Sequence, residues 1–125
     1  MHDYHNLLVW KRSFIFVQLT YRLTRKLFPR DEMFGLASQF RRASISIVAN
    51  IVEGRGKHTD RDFLRYLYIA KGSLNECQCY LEISQALLYI NHVQSNFMLV
   101  KLNEVAFLLN KLIVTIELSQ PTKHS

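Results

Sequence analysis

Between residues 60 and 90, apolar or small residues recur at alternating steps of four and three without a break. This spacing places them on one face of an α-helix and is typical of a helix that packs against others along its whole length. Thr59 is the expected N-cap, and Asp60 and Asp62 place negative charge at the positive end of the helix dipole. The seam consists of Phe63, Leu67, Ala70, Leu74, Cys77, Leu81, Ser84 and Leu88. Gly72 lies beside it, and with Ala70 and Ser73 it predicts the close approach of another helix.

Three more segments show helical spacing, separated by breaks at Phe28-Pro29, at Gly54–Lys57 and at Asn91-His92. We predict helices over about 6–28, 34–53, 60–90 and 95–118, with Gly54 ending the second. Residues 44–47 also alternate as a strand would, but the helical spacing covers the whole second segment. In the first helix, the predicted inward face consists of Leu7, Trp10, Phe14, Val17, Tyr21 and Phe28.

Helices of this length with short connections predict an all-α fold, an antiparallel up-down-up-down four-helix bundle that spans residues 1–125 as one domain. The composition agrees. The chain has 49% hydrophobic residues, which excludes a disordered protein, and only 4 glycines and 2 prolines, which argues against an all-β fold. No apolar run approaches the roughly 18 residues of a membrane span, and no signal peptide is visible, so we expect a cytoplasmic protein without membrane contact.

Positive charge is concentrated in the first part of the chain. Residues 1–71 hold 13 of the 16 Lys and Arg residues but only 6 of the 10 Asp and Glu residues. This asymmetry points to a polyanionic partner such as RNA or DNA, and the alternative is an ordinary solvated surface. The candidate nucleic-acid-binding residues are Arg41, Arg42, Arg55, Lys57, Arg61 and Arg65 around the second connection, and Lys11, Arg12, Arg22, Arg25 and Lys26 on the first helix.

Signals for catalysis are weak. All five histidines fall in predicted ends or loops, and none forms a metal-binding pair on a helix face. The glycines do not have the spacing of a phosphate-binding loop. Cys77 and Cys79 point in different directions from one helix, so Cys77 is interpreted as a core residue and Cys79 has no assigned role. We therefore expect no catalytic residue, no metal, no cofactor and no enzymatic activity.

Two polar residues, Asn50 and Glu53, lie among apolar residues near the end of the second helix, and Gly54 follows them. A carboxylate at a helix C-terminus opposes the helix dipole, so Glu53 should have a partner in the form of a basic side chain or loop N–H groups. We interpret the three residues as a structural clamp that fixes the turn into the third helix.

The order of three motifs resembles a bacterial family, the four helix bundle proteins, also called 23S rRNA-intervening sequence or S23 ribosomal proteins. The motifs are Q-x-R-R-A at residues 39–43, S-I-x-x-N-I-x-E-G at residues 46–54 and A-x-G-S-x-x-E at residues 70–76. The resemblance covers roughly residues 6–91. It implies a four-helix bundle that forms homopentamers, and a similarity to the accessory proteins of diversity-generating retroelements, which bind nucleic acid and a reverse transcriptase. It implies no enzymatic activity and no cofactor.

The expected function is therefore nonenzymatic binding of nucleic acid, RNA before DNA, by an oligomer. The alternative is a protein-interaction scaffold without a nucleic-acid role. Oligomerisation is expected because helices one and three carry more apolar residues than one bundle needs. The surplus consists of Trp10, Ile15 and Leu19 in the first helix and Tyr66, Tyr68, Ile69, Tyr80 and Ile83 in the third.

Overall fold

Four antiparallel helices follow one another around a shared core in a computed structural model of the chain, which describes residues 3–120. They are α1 (Leu8–Leu27), α2 (Leu36–Arg55), α3 (Asp60–Ala86) and α4 (His92–Ser119), with single 3₁₀ turns at Tyr4–Asn6 and Arg30–Glu32. Each helix packs against the next, and α4 packs back against α1. The predicted all-α four-helix fold is confirmed.

The predicted helix ends differ from those of the structure by up to four residues, and three of the differences have a clear local cause. Gly54 lies inside α2, which continues to Arg55 and is capped by Gly56. The last helix begins at His92, before the predicted 95, because Asn91 and Gln94 form a capping box. The Asn91 side chain accepts the Gln94 backbone N–H at 2.8 Å, and the Gln94 side chain accepts the Asn91 N–H at 2.9 Å. This reciprocal pair satisfies two N–H groups that a helix start otherwise leaves unbonded.

The third helix ends at Ala86, short of the predicted 90. Leu88 adopts a left-handed conformation with φ of 65°, and the Tyr89 N–H bonds back to the Ser84 carbonyl at 3.0 Å. This is the pattern of a Schellman turn, with leucine where glycine is usual. Leu88 is 87% exposed, so the predicted seam ends at Ser84 and the inclusion of Leu88 is wrong. The turn brings Tyr89 onto Phe28 and lets its hydroxyl donate to Glu32 at 2.7 Å.

Most of the predicted inward face of α1 is wrong, although Phe28 at its end is buried as predicted. Trp10, Val17 and Tyr21 are only half-buried and Phe14 is exposed. The buried stripe consists of Val9, Ser13, Phe16, Thr20 and Thr24. Sequence hydropathy missed it because three members are hydroxyl residues. Their hydroxyls donate to carbonyls one turn earlier in the same helix, which removes the cost of burying them.

The tightest contact in the bundle lies between α2 and α3, at Gly54. A Cβ at Gly54 would lie 2.9 Å from both the Phe63 ring and the Tyr66 Cβ. Farther along, the Ser73 hydroxyl donates to the Ser46 hydroxyl at 2.8 Å. The expected close approach at Gly72 is wrong, since Gly72 is exposed and a Cβ added there would meet nothing within 4 Å.

Alanine substitutions at the two helical glycines should therefore have opposite effects. We expect Gly54→Ala to lower the free energy of unfolding by about 1–3 kcal/mol, because the helices must separate to admit the methyl group. We expect Gly72→Ala to raise it by up to about 1 kcal/mol, because alanine favours the helix and meets nothing there. Chemical denaturation of both variants checks this, and equal effects would contradict the packing described.

Candidate nucleic-acid interface

The outer face of α1 is strongly basic. The helix carries five basic side chains and no acidic one. All five are exposed, and none has a carboxylate within salt-bridge distance among residues 3–120. They form one group near each end of the helix, Lys11 and Arg12 at the start and Arg22, Arg25 and Lys26 at the end. Their charges are therefore available to an external anion.

Arg41 is held against α1. Its Nε donates to the Thr24 hydroxyl at 2.9 Å, and its guanidinium carbon lies 4.6 Å from the centre of the Tyr21 ring. A guanidinium over an aromatic face with one nitrogen already bonded is a link between helices. Arg42, the next residue, is exposed on the other side of α2, beside α3.

A second basic group surrounds the connection from α2 to α3. Lys57 and Arg65 flank Tyr66, with the Lys57 Nζ 5.2 Å and the Arg65 Cζ 4.6 Å from the centre of its ring. Arg61 is exposed one turn before Arg65. Arg55 is half-buried, and its Nε is enclosed without a hydrogen-bond partner in the described chain.

The six candidates on α2 and α3 do not form one patch. Arg41 and Arg42 precede Arg55 by about 14 residues of helix, which at 1.5 Å per residue separates them by about 21 Å. Acidic side chains also lie near the α2–α3 connection, where Asp60 and Asp62 begin α3. Within the described chain, α1 therefore offers the larger uncompensated charge.

The three predicted clamp residues act at different places. Glu53 is exposed and pairs with the half-buried Lys57 at 3.4 Å, so the expected basic partner is present. The Asn50 side chain donates to Ser46, to its carbonyl at 2.8 Å and its hydroxyl at 3.0 Å. Because Ser46 also accepts from Ser73, Asn50 supports the middle of the α2–α3 contact.

We expect Glu53→Ala to change the free energy of unfolding by less than about 0.5 kcal/mol, because an exposed pair on one helix contributes little. Ser73→Ala should cost about 1 kcal/mol, because it removes a buried hydrogen bond between helices. Thermal unfolding of the two variants checks the contrast. A larger loss of stability in Glu53→Ala than in Ser73→Ala would contradict this expectation and would support Glu53 as part of a clamp at the turn.

The cysteines differ in environment. Burial, with a smaller contribution from the charge of Glu76, raises the pKa of the Cys77 thiol to about 12, whereas Cys79 is exposed. A thiol with so high a pKa is a poor nucleophile. Among residues 3–120, no three His, Cys, Asp or Glu side chains gather as they would around a metal ion. In the same range, no helix is long and apolar enough to cross a bilayer.

The family can now be assigned. Residues 5–111 match the sequence profile of the 23S rRNA-intervening sequence proteins. The chain belongs to that family. A crystal structure at 1.70 Å of a protein of unknown function from the S23 ribosomal protein family, from Bacteroides thetaiotaomicron VPI-5482, superposes with a TM-score of 0.78. The two proteins share 28% identity over 85% of this chain and 98% of the other. No curated protein matches the chain.

Proposed function

We propose that this 23S rRNA-intervening sequence protein is a nonenzymatic nucleic-acid-binding protein that acts as an oligomer in the cytoplasm. The observation that carries the proposal is α1, with five exposed basic side chains and no acidic residue. Such a face attracts phosphates by releasing their counterions, and arginine's planar fork suits phosphate oxygens.

Assembly is proposed from α4, which is apolar on both sides. Its outward face has its own steps of four and three, at Val93, Phe97, Val100, Glu104, Phe107, Lys111, Val114 and Leu118, and the apolar members are at least half-exposed. A helix that is apolar all round is normally buried. Of its two charged positions, Glu104 pairs with Lys101 of the same helix at 3.9 Å and Lys111 is exposed. We therefore propose a second copy of this chain as the covering partner.

The neighbouring surface of α1 extends this apolar face. Leu7 and Leu8 form a groove of about 280 Å³ with Leu108 and Leu112. Leu19, Leu23 and Leu27 form another, of about 250 Å³, with Phe97 and Met98. The surplus of apolar surface thus involves α1, as expected, and also α4. On α3, Tyr68, Ile69 and Ile83 are exposed as expected, whereas Tyr66 and Tyr80 are half-buried. A closed ring would bury the face in every copy, and the resemblance implies five copies.

Light scattering on the purified protein should give a mass several times 14.7 kDa. Phe107→Glu should reduce this mass, because it places a charge on the outward face of α4, where Phe107 is 67% exposed. Phe34→Glu is the control, since Phe34 is 100% exposed in the turn before α2 and is not a residue of the outward face of α4. A wild-type monomer at high concentration, or an unchanged mass in Phe107→Glu, would refute the proposed interface.

Nucleic-acid binding is tested by neutralising α1. The triple variant Lys11→Gln, Arg12→Gln, Arg25→Gln should bind single-stranded RNA more weakly, with a salt dependence shallower by about 2 in log–log slope, or about 0.7 for each lost phosphate contact. Fluorescence anisotropy over a salt series measures both quantities. Circular dichroism and mass should not change, because the three side chains are exposed and unpaired within the described chain.

The control triple variant is Arg30→Gln, Arg61→Gln, Lys71→Gln, which removes the same charge from exposed residues outside α1 and should keep the slope. If both triple variants lose affinity equally, binding depends on the net charge of the protein and not on the α1 residues in particular.

If the wild type fails to bind RNA or DNA at about 50 mM salt, the alternative function as a protein-interaction scaffold through the α1–α4 face is favoured. A reverse transcriptase remains one predicted partner of such a scaffold.

A further inference from the structure

A polar groove runs between α2 and α3 on the side of the bundle away from α1 and α4. Its volume is about 300 Å³, at the lower end of the range for small-molecule sites. Unlike the two apolar grooves beside α1, it exposes mostly polar surface. We call it the α2–α3 groove, and it is lined by Gln39, Arg42, Ala43, Ser46, Glu76 and Tyr80.

The polar groups of this groove have bonding capacity left. Arg42 and Glu76 face the same space from opposite helices, yet they form no ion pair within 4 Å. The side chains of Gln39 and Tyr80 make no hydrogen bond within the described chain. Ser46, by contrast, is already bonded to Asn50 and Ser73.

Tyr80 contrasts with the two tyrosines whose hydroxyls bind glutamates of other elements, Tyr68 to Glu117 and Tyr89 to Glu32. Burial and then the nearby charge of Glu76 raise the pKa of Tyr80, so its phenol stays protonated and able to donate. Its ring is held by Phe40, with 6.2 Å between the ring centres. The groove thus has a half-buried aromatic side chain in the same lining as a cation and an anion.

A ligand of this groove must offer acceptors to Arg42 and donors to Glu76 at once. A carboxylate only accepts, and two parallel N–H donors satisfy it best. Among the common bases, guanine alone presents two adjacent donors, N1–H and the 2-amino group, and it also has O6 and N7 as acceptors for arginine. Uracil and cytosine would turn an acceptor toward Glu76.

We infer that the α2–α3 groove binds one guanine base, with Glu76 accepting from N1–H and the 2-amino group, Arg42 donating to O6 or N7, and Tyr80 and Gln39 at its margins. The base could belong to a single strand or to a free guanine nucleotide. Binding within a strand rests on the proposed function, whereas binding of the free nucleotide does not.

The test compares guanine with inosine, which lacks the 2-amino group. The strand probe is a short labelled adenosine oligoribonucleotide with one central guanosine or inosine, and the free probe is guanosine or inosine monophosphate. Wild-type protein should bind the guanine form of each probe about tenfold more tightly, the size of discrimination typical of one two-bond contact to a base edge. Glu76→Gln should abolish this ratio.

Glu82→Gln is the matched control, because Glu82 is exposed on the same helix outside the groove and the charge change is identical. It should keep the guanine-to-inosine ratio.

If strands bind without any preference for guanine and free guanosine monophosphate does not bind, the inference fails and the proposed nucleic-acid function stands. If only the free nucleotide binds, with the ratio dependent on Glu76, the groove is a nucleotide site and the proposed function fails. If the ratio is the same in Glu76→Gln and wild type, the inference is overturned.

Discussion

The close packing of α2 against α3 is the contact on which the rest of the bundle depends. It is possible only because Gly54 has no side chain where Phe63 and Tyr66 cross it, and because serines, not large residues, meet midway at Ser46 and Ser73. Such small contacts keep the two helices aligned over most of their length. The alignment in turn leaves a shallow polar groove outside and a continuous core inside, from Phe63 to Ser84 of α3.

The two sides of the bundle consequently differ in chemistry. The side formed by α1 and α4 exposes large apolar residues together with the arginines and lysines of α1. The side formed by α2 and α3 exposes polar side chains around a small groove. If copies of the chain cover the first side, Arg22 and Lys26, which border the apolar groove with Phe97, would lie at the rim of the interface. The same helix would then contribute both to assembly and to phosphate binding.

The sequence predicted the helical class, the number of helices and the seam of α3, because those depend on a repeated spacing of apolar residues. It did not predict the inward face of α1, since Thr20 and Thr24 look polar in a hydropathy pattern, although bonds to their own helix backbone allow them to be buried.

The basic candidates were visible in the sequence. The engagement of Arg41 by Tyr21 and Thr24 was not, because it depends on how two helices are rotated against each other. Nor could spacing show that Glu76 and Tyr80 of α3 face Gln39 and Arg42 of α2.

The placement of the two cysteines has a consequence for chemical labelling. Cys79 is exposed, whereas Cys77, two positions earlier, is fully covered in the core and resists ionisation. A thiol reagent added to the folded protein can reach the first at once, but it can reach the second only when the interior of the bundle opens. The modification rate of Cys77 therefore reports how often the core of the bundle opens. Any ligand that stabilises the closed bundle would lower this rate.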